Sequence, residues 1–389
     1  MRTKRLCRVG VSGESEVPLD SDMMIDEEQS ILEAQTSSAV EELKLAVGYQ
    51  GKGVMQKRVT ALRKLRRLLS RSEFPPVEAA LQAGAIPLLV QCLSFGSPDE
   101  QVQRCAWALG NVAGEGEELR NVLISRGALP PLARMMLPNK GSTARTAAWA
   151  LSNLIKGPDP RAATELIRTD GVLDAILRHL RKSDEEFATE VAWVVVYLSA
   201  LSSVAISMLV KSDLLQLLVD RLATSNSLQL LIPEAAWVLS NIAAGSVEHK
   251  QLIYSSQAVP VLLRLLSAAP FDIRKEVAYV VGNLCVAPAE GVGRPSLILD
   301  HLISLVQRGC LSGFIDLVRS ADTKAARLGL QFMELVLRGM PNGEGPKLVE
   351  REDGIDAMER FQFHENDDLR NMANELIDRY FGEDYGLDE

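Results

Sequence analysis

Apolar residues recur along this chain with the period of an α-helix. In residues 56–70, for example, Leu62, Leu65 and Leu69 are three or four positions apart, which places them on one face of a helix. Alternation of apolar and polar residues with a period of two is never sustained, and the valine-rich runs lie inside helical patterns. The pattern therefore predicts an all-α fold without β-strands.

A short apolar motif returns at nearly constant spacing. The segments CAWALGNVAG, AAWALSNLIK, VAWVVVYLSA, AAWVLSNIAA and VAYVVGNLCV place an aromatic residue at positions 107, 149, 193, 237 and 279, at intervals of 42, 44, 44 and 42 residues. Ahead of each motif a glycine or polar residue, such as Gly84 or Gly127, precedes a second apolar run. Each unit is predicted to be a short helix, a turn, a second helix and a longer third helix that carries the aromatic residue. Three-helix repeats of this length predict an armadillo-repeat, right-handed superhelical solenoid.

The repeats divide the chain into an array and two flanks. We predict an array over residues 34–382 with about eight units, of which six are complete between about Val77 and Gly339 and the first and last are atypical. Residues 9–43 contain ten acidic and no basic residues, so residues 1–33 are predicted to end in a disordered acidic linker. Residues 383–389 are predicted to be an acidic tail, and residues 287–295 a mobile loop.

Composition narrows the classes of function. The net charge of −9 argues against a protein that grips nucleic-acid phosphates directly, and the basic cluster in residues 57–67 is interpreted as a solvated outer face, with phosphate contact as the alternative. Five dispersed cysteines without a Cys-x-x-Cys pair indicate a reducing compartment. Residues 191–210 carry no charge and reach the length of a membrane span, but two buried helices in succession explain them better than membrane insertion.

The recurring aromatic residues are followed four positions later by an asparagine, or by a tyrosine in the third motif. Four residues is about one helical turn, so ring and amide lie on one face, and stacked repeats would align them as a ladder. An amide suits the backbone of an extended peptide, and aromatic rings suit the stems and charged heads of Lys and Arg. A buried helix-to-helix tie is the alternative role for the asparagines. Glutamates three residues before three of the aromatic residues are predicted to meet the cationic heads. The predicted peptide-binding residues are Trp107, Asn111, Glu115, Trp149, Asn153, Glu190, Trp193, Tyr197, Glu234, Trp237, Asn241, Glu276, Tyr279 and Asn283.

These motifs resemble a known family. WALGN, WALSN and WVLSN are similar to the signal-binding ladder of importin alpha, the armadillo adapter that carries proteins with basic nuclear localisation signals into the nucleus. The stretch EDGIDAMERFQFHENDDLRNMANELIDRYFGED is similar to the last repeat of that family, and the repeats resemble a divergent plant-type subunit. The resemblance covers the chain from about residue 50 to its end. It assigns the first three motifs, with Glu115 and Glu190, to the family's major site and the last two motifs to its minor site.

The resemblance also implies partners and shows departures. It implies basic signal-bearing cargo proteins, importin beta, a nuclear export receptor at the C-terminal repeats, and shuttling between cytoplasm and nucleus, with no cofactor and no metal. Residues 1–10 are little more than a remnant of the family's importin-beta-binding arm, which weakens the expectation for importin beta. About two armadillo repeats are missing relative to the family. Pro233 is predicted to kink the third helix of its unit.

Three alternatives remain open at this stage. An enzyme is not expected, because the four histidines are dispersed and no nucleophile, phosphate-loop or metal-ligand pattern occurs. An armadillo scaffold of another kind would be expected to line its groove with Lys and Arg, whereas the ladder register here offers Glu. A compressed array that folds poorly and has impaired cargo binding is the third alternative.

Overall fold

A computed structural model describes residues 22–49, 51–70, 75–93, 97–138, 141–224, 231–288 and 295–382. These residues form α-helices joined by short turns, and no strand occurs among them. The predicted tail at residues 383–389, most of the predicted loop at residues 287–295 and the basic segment at residues 1–10 lie outside the described residues.

The helices follow the predicted three-helix order. Two helices come first, α1 (Asp22–Gly48) and α2 (Val54–Leu68). Six three-helix units follow within the described residues: α3 (Val77–Gln82), α4 (Ala85–Cys92) and α5 (Asp99–Glu115); α6 (Glu117–Ser125), α7 (Leu129–Met136) and α8 (Gly141–Ile155); α9 (Pro160–Arg168), α10 (Val172–Leu180) and α11 (Glu185–Leu201); α12 (Ser203–Val210), α13 (Leu214–Ala223) and α14 (Ile232–Ala243); α15 (Val247–Ser255), α16 (Ala258–Ala268) and α17 (Phe271–Leu284); α18 (Pro295–Gln307), α19 (Cys310–Val318) and α20 (Thr323–Gly339). The last unit is α21 (Glu344–Arg351), α22 (Gly354–Glu359) and α23 (Asp367–Phe381). The all-α, armadillo-type fold is therefore confirmed.

Left-handed backbone marks the predicted turn at several units. Gly84, Gly127, Gly171 and Gly309 all have φ between 77° and 85°, a region that costs glycine nothing. Asp213 and Gln257, at the equivalent turns of two other units, have φ of −71° and −73°. The turn therefore has two backbone forms, and glycine occupies only the left-handed one.

Small buried residues let the third helices pack closely. The residue before each ladder aromatic is an alanine and is fully or almost fully buried (Ala106, Ala148, Ala192, Ala236, Ala278). An alanine at that position adds little bulk between neighbouring helices, while the aromatic residue that follows it is turned by about 100° along the helix. In the first part of the chain α5 packs on α8 and α8 on α11; in the second α14 packs on α17 and α17 on α20.

The chain divides into two compact units, with the division between Met208 and Leu209 inside α12. We call them the amino-terminal unit and the carboxy-terminal unit. The ladder residues of the first three motifs belong to the former, and those of the last two motifs belong to the latter.

Three sequence-based expectations can be compared with the helices. The uncharged stretch at residues 191–210 forms two helices, α11 and α12, separated at Ser202, as predicted. Among the described residues, no helix has both the length and the apolar character that crossing a bilayer requires. α1 begins at Asp22 and so runs through the predicted array boundary at residue 34.

The prediction of a kink at Pro233 is wrong. α14 begins at Ile232, which puts Pro233 in the first turn of the helix rather than in its interior. The first residues of a helix have no intrahelical partner for their N–H groups, so a proline there removes no hydrogen bond. The third helix of this unit is consequently shorter, with 12 residues against 17 in α11.

Candidate peptide-binding groove

Two tryptophans of the amino-terminal unit line a groove. Trp107 on α5 and Trp149 on α8 have ring centroids 6.1 Å apart and an interplanar angle of 60°. Trp107 is 39% exposed and Trp149 is half-buried. The cavity beside them has a volume of about 600 Å³ and is lined by Gln103, Trp107, Gly141, Ser142, Arg145, Thr146, Trp149, Asp184 and Glu190. Three successive third helices and their starts therefore contribute to one surface.

The charge of this groove is mixed but mainly acidic. Asp184 and Glu190 bring two carboxylates from the start of α11. Asp184 is also the N-cap of α11, because its Oδ1 accepts a hydrogen bond of 3.0 Å from the backbone N–H of Phe187. Arg145 is the one arginine in the lining, and its Nη1 lies 2.7 Å from Oε2 of Glu186, an exposed carboxylate. Such a solvent-exposed pair is worth little energy and can open readily.

The ladder asparagines of this unit tie each third helix to the preceding repeat. Nδ2 of Asn153 donates to the backbone carbonyl of Gly110 at 3.2 Å, and Nδ2 of Asn111 donates to Oγ of Ser70 at 2.7 Å. Both asparagines are half-buried. Each amide therefore makes the helix-to-helix tie that was the alternative to peptide binding, and it uses a donor to do so.

The third ladder motif is much less accessible. Trp193 is 9% exposed and Tyr197 is 3% exposed, and their rings lie 6.0 Å apart and tilted by 36°. The two rings fill the space along α11 that an accessible aromatic and a short asparagine would leave open. The structure thus brings Trp107, Trp149 and Glu190 together at the surface, and it places Trp193 and Tyr197 in the interior.

Glu115 lies apart from the groove lining, at the end of α5. Partial desolvation raises the pKa of its carboxyl, and the positive charge of Lys156, just beyond the end of α8, opposes that rise. Glu115 therefore faces a neighbouring basic side chain of the next repeat.

In the carboxy-terminal unit the two ladder asparagines are buried. Asn241 is 1% exposed and Asn283 is 3% exposed. Nδ2 of Asn283 donates to the backbone O and to Oγ of Ser240, at 3.1 and 3.2 Å, so α17 is tied to α14. Of the other predicted residues of this unit, Trp237, Glu276 and Tyr279 are half-buried and Glu234 is buried.

Some groove residues escaped the sequence analysis. Gln103 and Arg145 each lie four residues before a ladder tryptophan, so they share its helix face one turn earlier. The sequence-based prediction covered the glutamates three residues before the rings and Glu115, and it did not extend to the position four residues before each ring. Arg66 was also missed: its guanidinium lies 4.7 Å from the centre of the Trp107 ring. The basic cluster of α2 was interpreted as a solvated outer face, whereas this member contacts the ladder.

Family models match the repeats found in the structure. The model described as "Armadillo/beta-catenin-like repeat" matches residues 73–114, 116–156 and 246–286. The model described as "Atypical Arm repeat" matches residues 347–389. Among solved structures, an engineered protein is similar with a TM-score of 0.70 and 22% identity, covering 92% of this chain and 84% of that chain. A computationally designed armadillo repeat protein for modular peptide recognition is similar with a TM-score of 0.56 and 26% identity, covering 64% of this chain and 98% of that chain.

Two plant proteins are similar over the entire chain. "Importin subunit alpha-9" of Arabidopsis thaliana is 61% identical, with 100% of this chain and 92% of the relative covered. "Importin subunit alpha-2" of Oryza sativa subsp. japonica is 52% identical, with 100% of this chain and 90% of the relative covered. Both alignments span 478 positions against the 389 residues of this chain, so about 90 positions within the aligned span have no counterpart here. That is roughly the length of two armadillo repeats. The chain belongs to the importin subunit alpha family.

Proposed function

We propose that this protein is a nuclear import adapter that binds basic nuclear localisation signals as extended peptides in the groove beside Trp107 and Trp149. The observation that carries the proposal is the combination of two accessible tryptophan rings with the carboxylates of Asp184 and Glu190 in one groove of about 600 Å³. Membership of the importin subunit alpha family supports the same role.

The chemistry of the groove suits lysine and arginine side chains. Their aliphatic stems pack on the tryptophan rings, and their charged heads lie over the ring faces or beside the carboxylates. Consecutive helices about 10 Å apart span about three extended residues at roughly 3.4 Å each. A basic residue can therefore reach each inter-helix space in turn, while intervening side chains point away.

The asparagine ladder contributes mainly to the rigidity of this groove. Asn111 donates to Ser70 just beyond α2, and Asn153 donates to the carbonyl of Gly110 on α5, so both tie their helices to the preceding repeat. An amide oxygen can still accept a hydrogen bond from a peptide N–H. We propose that peptide backbone recognition by these residues takes place through the amide oxygen.

The proposal extends to the carboxy-terminal unit and to partner proteins. Trp237 and Tyr279, with Glu234 and Glu276, are proposed to take a second basic cluster. Importin beta and a nuclear export receptor are proposed partners, and cytoplasm and nucleus the proposed locations, on the strength of the family.

Fluorescence polarisation of a labelled Lys/Arg-rich peptide tests the proposal. The variant Trp107→Ala/Trp149→Ala removes both groove rings, and we expect at least a tenfold rise in Kd, which corresponds to about 1.4 kcal/mol or more. Trp107 is preferred to Trp193 as the second site, because Trp193 is buried and its truncation would leave a cavity.

Phe363→Ala is the matched control, because it removes an aromatic ring that is 90% exposed and lies far along the sequence from the groove. It should leave Kd unchanged. No saturable binding of the basic peptide by the folded wild-type protein would overturn the proposal. Binding of an acidic peptide in its place would favour the alternative of a scaffold with another class of ligand.

A further inference from the structure

Arg66 on α2 and Ser70, two residues beyond the end of that helix, occupy ladder positions. Arg66 precedes Trp107 by 41 residues, and Ser70 precedes Asn111 by 41 residues. Asn111 reaches back to Ser70 much as Asn153 reaches back to α5. The ladder of the amino-terminal unit therefore continues onto α2, with an arginine in the position that the later motifs give to an aromatic residue.

The guanidinium of Arg66 is held in a positive, partly dry environment. It lies 4.7 Å from the centre of the Trp107 ring, and its Nε is buried without a hydrogen-bond partner. Burial lowers the pKa of Arg66, and repulsion from Arg104, Arg67 and Arg63 lowers it further. An anion placed here would relieve both the missing hydrogen bond and the repulsion.

The carboxylate of Glu100 pairs with only two of the four arginines Arg63, Arg66, Arg67 and Arg104. Oε1 of Glu100 lies 2.6 Å from Nη2 of Arg104 and 3.2 Å from Nη2 of Arg63. Within the described part of the chain, no carboxylate pairs with Arg66 or Arg67. Two guanidinium groups therefore remain available at the α2 end of the groove.

We propose that the α2 end of the groove, formed by Arg66 against the Trp107 ring together with its exposed neighbour Arg67, binds an acidic or phosphorylated side chain of the same peptide whose basic residues lie beside Trp149 and Glu190. The inference deepens the proposed function and rests on it. The two ends of the groove then carry opposite charges, with carboxylates at the α11 end and guanidinium groups at the α2 end. A planar guanidinium offers two parallel donors to a carboxylate or a phosphoryl group, which makes the preference specific for an oxyanion.

The spacing of the helices sets the spacing of the two charges in the ligand. From α2 to the space between α8 and α11 is two to three helix steps of about 10 Å each. An extended peptide covers that distance in about six to nine residues. The preferred ligand is thus a basic cluster with an acidic or phosphorylated residue six to nine positions away.

Three labelled peptides with the same basic cluster test the inference by fluorescence polarisation. They differ only in two adjacent residues at that distance from the cluster, which are both Ala, both Glu or both phosphoserine. Each peptide is made in two versions, with the two residues before the cluster or after it. We expect the phosphoserine peptide in one orientation to bind at least fivefold more tightly than the Ala peptide, with the Glu peptide in between. The protein has a net charge of −9, so unspecific electrostatics would weaken binding of the phosphoserine peptide.

The variant Arg66→Met/Arg67→Gln keeps an apolar stem on Trp107 and removes both charges. It should lose the preference for phosphoserine, so that its Kd values for the phosphoserine peptide and the Ala peptide become equal. Arg67→Gln alone, at an exposed position, serves as a milder variant and should lose part of the preference. Arg126→Gln removes an exposed arginine at the end of α6 and should change nothing.

The two ideas fail differently. If the Ala peptide binds but phosphoserine gives no gain, or if the gain survives in Arg66→Met/Arg67→Gln, the anion site is wrong and the basic groove stands. If the wild-type protein does not bind the Ala peptide, the proposed function fails and the inference fails with it.

Discussion

Single residues decide how the two groove tryptophans are presented. Gly110 on α5 lies directly under the ring of Trp149. A Cβ at position 110 would be only 2.8 Å from Cε3 of that ring. Its carbonyl also accepts the hydrogen bond from Asn153. The glycine in WALGN is therefore required by the close approach of the next repeat, although glycine is a poor helix former.

We predict that Gly110→Ala displaces the Trp149 ring and weakens binding of a basic peptide about tenfold. Overpacking should also lower the free energy of unfolding by about 1–3 kcal/mol. Gly114→Ala is the matched control on the same helix, because a Cβ there meets nothing within 4 Å. It should be neutral or stabilise by up to about 1 kcal/mol. Polarisation and urea unfolding measure both effects, and equal behaviour of the two variants would contradict the argument.

Lys250 is a buried cation at the ends of two third helices. It is 1% exposed, and its Nζ donates to the carbonyl of Ala243, the last residue of α14, and to the carbonyl of Asn283 at 2.7 Å. Burial lowers its pKa to about 8, from about 10.5 in the unfolded chain. The amine thus supplies donors that the helix ends lack, at the cost of desolvating a charge.

Between pH 8 and 10.5 the unfolded chain keeps a proton on this lysine that the folded protein has released. The contribution of Lys250 to the free energy of unfolding therefore rises with pH across that window, by at most about 3 kcal/mol. We predict that the wild type gains this amount relative to Lys250→Met when unfolding is measured at pH 7.5 and pH 10.5. The same pair is also compared in a Cys285→Ala background, because burial raises the pKa of the Cys285 thiol to about 12 while the charge of Lys250 lowers it, so the contribution of this thiol does not cancel in the difference. A pH-independent difference would show that Lys250 is not desolvated.

At the scale of the helix, capping residues couple one element to the next. Asp322 is the N-cap of α20, accepting from the backbone N–H of Ala325 at 2.9 Å, and its Oδ2 lies 2.7 Å from Nζ of Lys275 on α17. Burial tends to raise the pKa of Asp322, but the lysine and the backbone N–H groups outweigh it and leave the pKa below its usual value. Asp159 caps α9 without an ion pair to another helix, since its partner is the nearby Arg161.

We predict that Asp322→Ala destabilises the protein by about 2 kcal/mol, because it removes a cap and a partly buried ion pair. Asp159→Ala should cost about 1 kcal/mol or less. Because the pKa of Asp322 is depressed, its contribution is present above the unfolded pKa near 4 and is lost as the pH falls below it. Urea titrations at pH 7 and pH 3 measure this, and the two variants should converge toward the wild type only at the lower pH.

The helices themselves were accessible to sequence reasoning, and their ends were less so. Aromatic spacing and the apolar runs predicted the six complete units, because each helix buries one face and leaves a periodic trace. Pro233 was placed inside a helix because the motif before Trp237 was assumed to be as long as the others. α14 begins at Ile232, and the periodicity of the apolar residues does not mark that start.

For the whole molecule, repeat proteins distribute stability over neighbouring interfaces, so a local defect should stay local. Gly329 on α20 allows close packing on α19, since a Cβ there would lie 2.6 Å from the carbonyl oxygen of Phe314. We predict that Gly329→Ala increases hydrogen exchange in α18–α23 at least tenfold and leaves α5–α8 protected. Loss of protection along the entire chain would indicate a single cooperative unit, and Gly114→Ala again serves as the control.

The chain is also shorter than the span over which its two plant relatives align with it. About 90 positions of the two plant relatives have no counterpart in this chain, yet the three-helix order is unbroken across the described residues. Repeat folds tolerate a change in the number of units, because each unit contacts only its neighbours.

The sequence by itself determined the fold class, the repeat length and the positions of the ladder, since these follow from which residues are apolar and how they are spaced. It did not determine which rings are accessible: Trp107 and Trp193 stand in equivalent motifs, yet one is 39% and the other 9% exposed. Nor did it reveal that Arg66 contacts Trp107, and it left open whether the asparagines bind a peptide or tie helices together. Those properties depend on which side chains of neighbouring repeats meet in space, and residues about 40 positions apart are brought into contact only by the stacking of the helices.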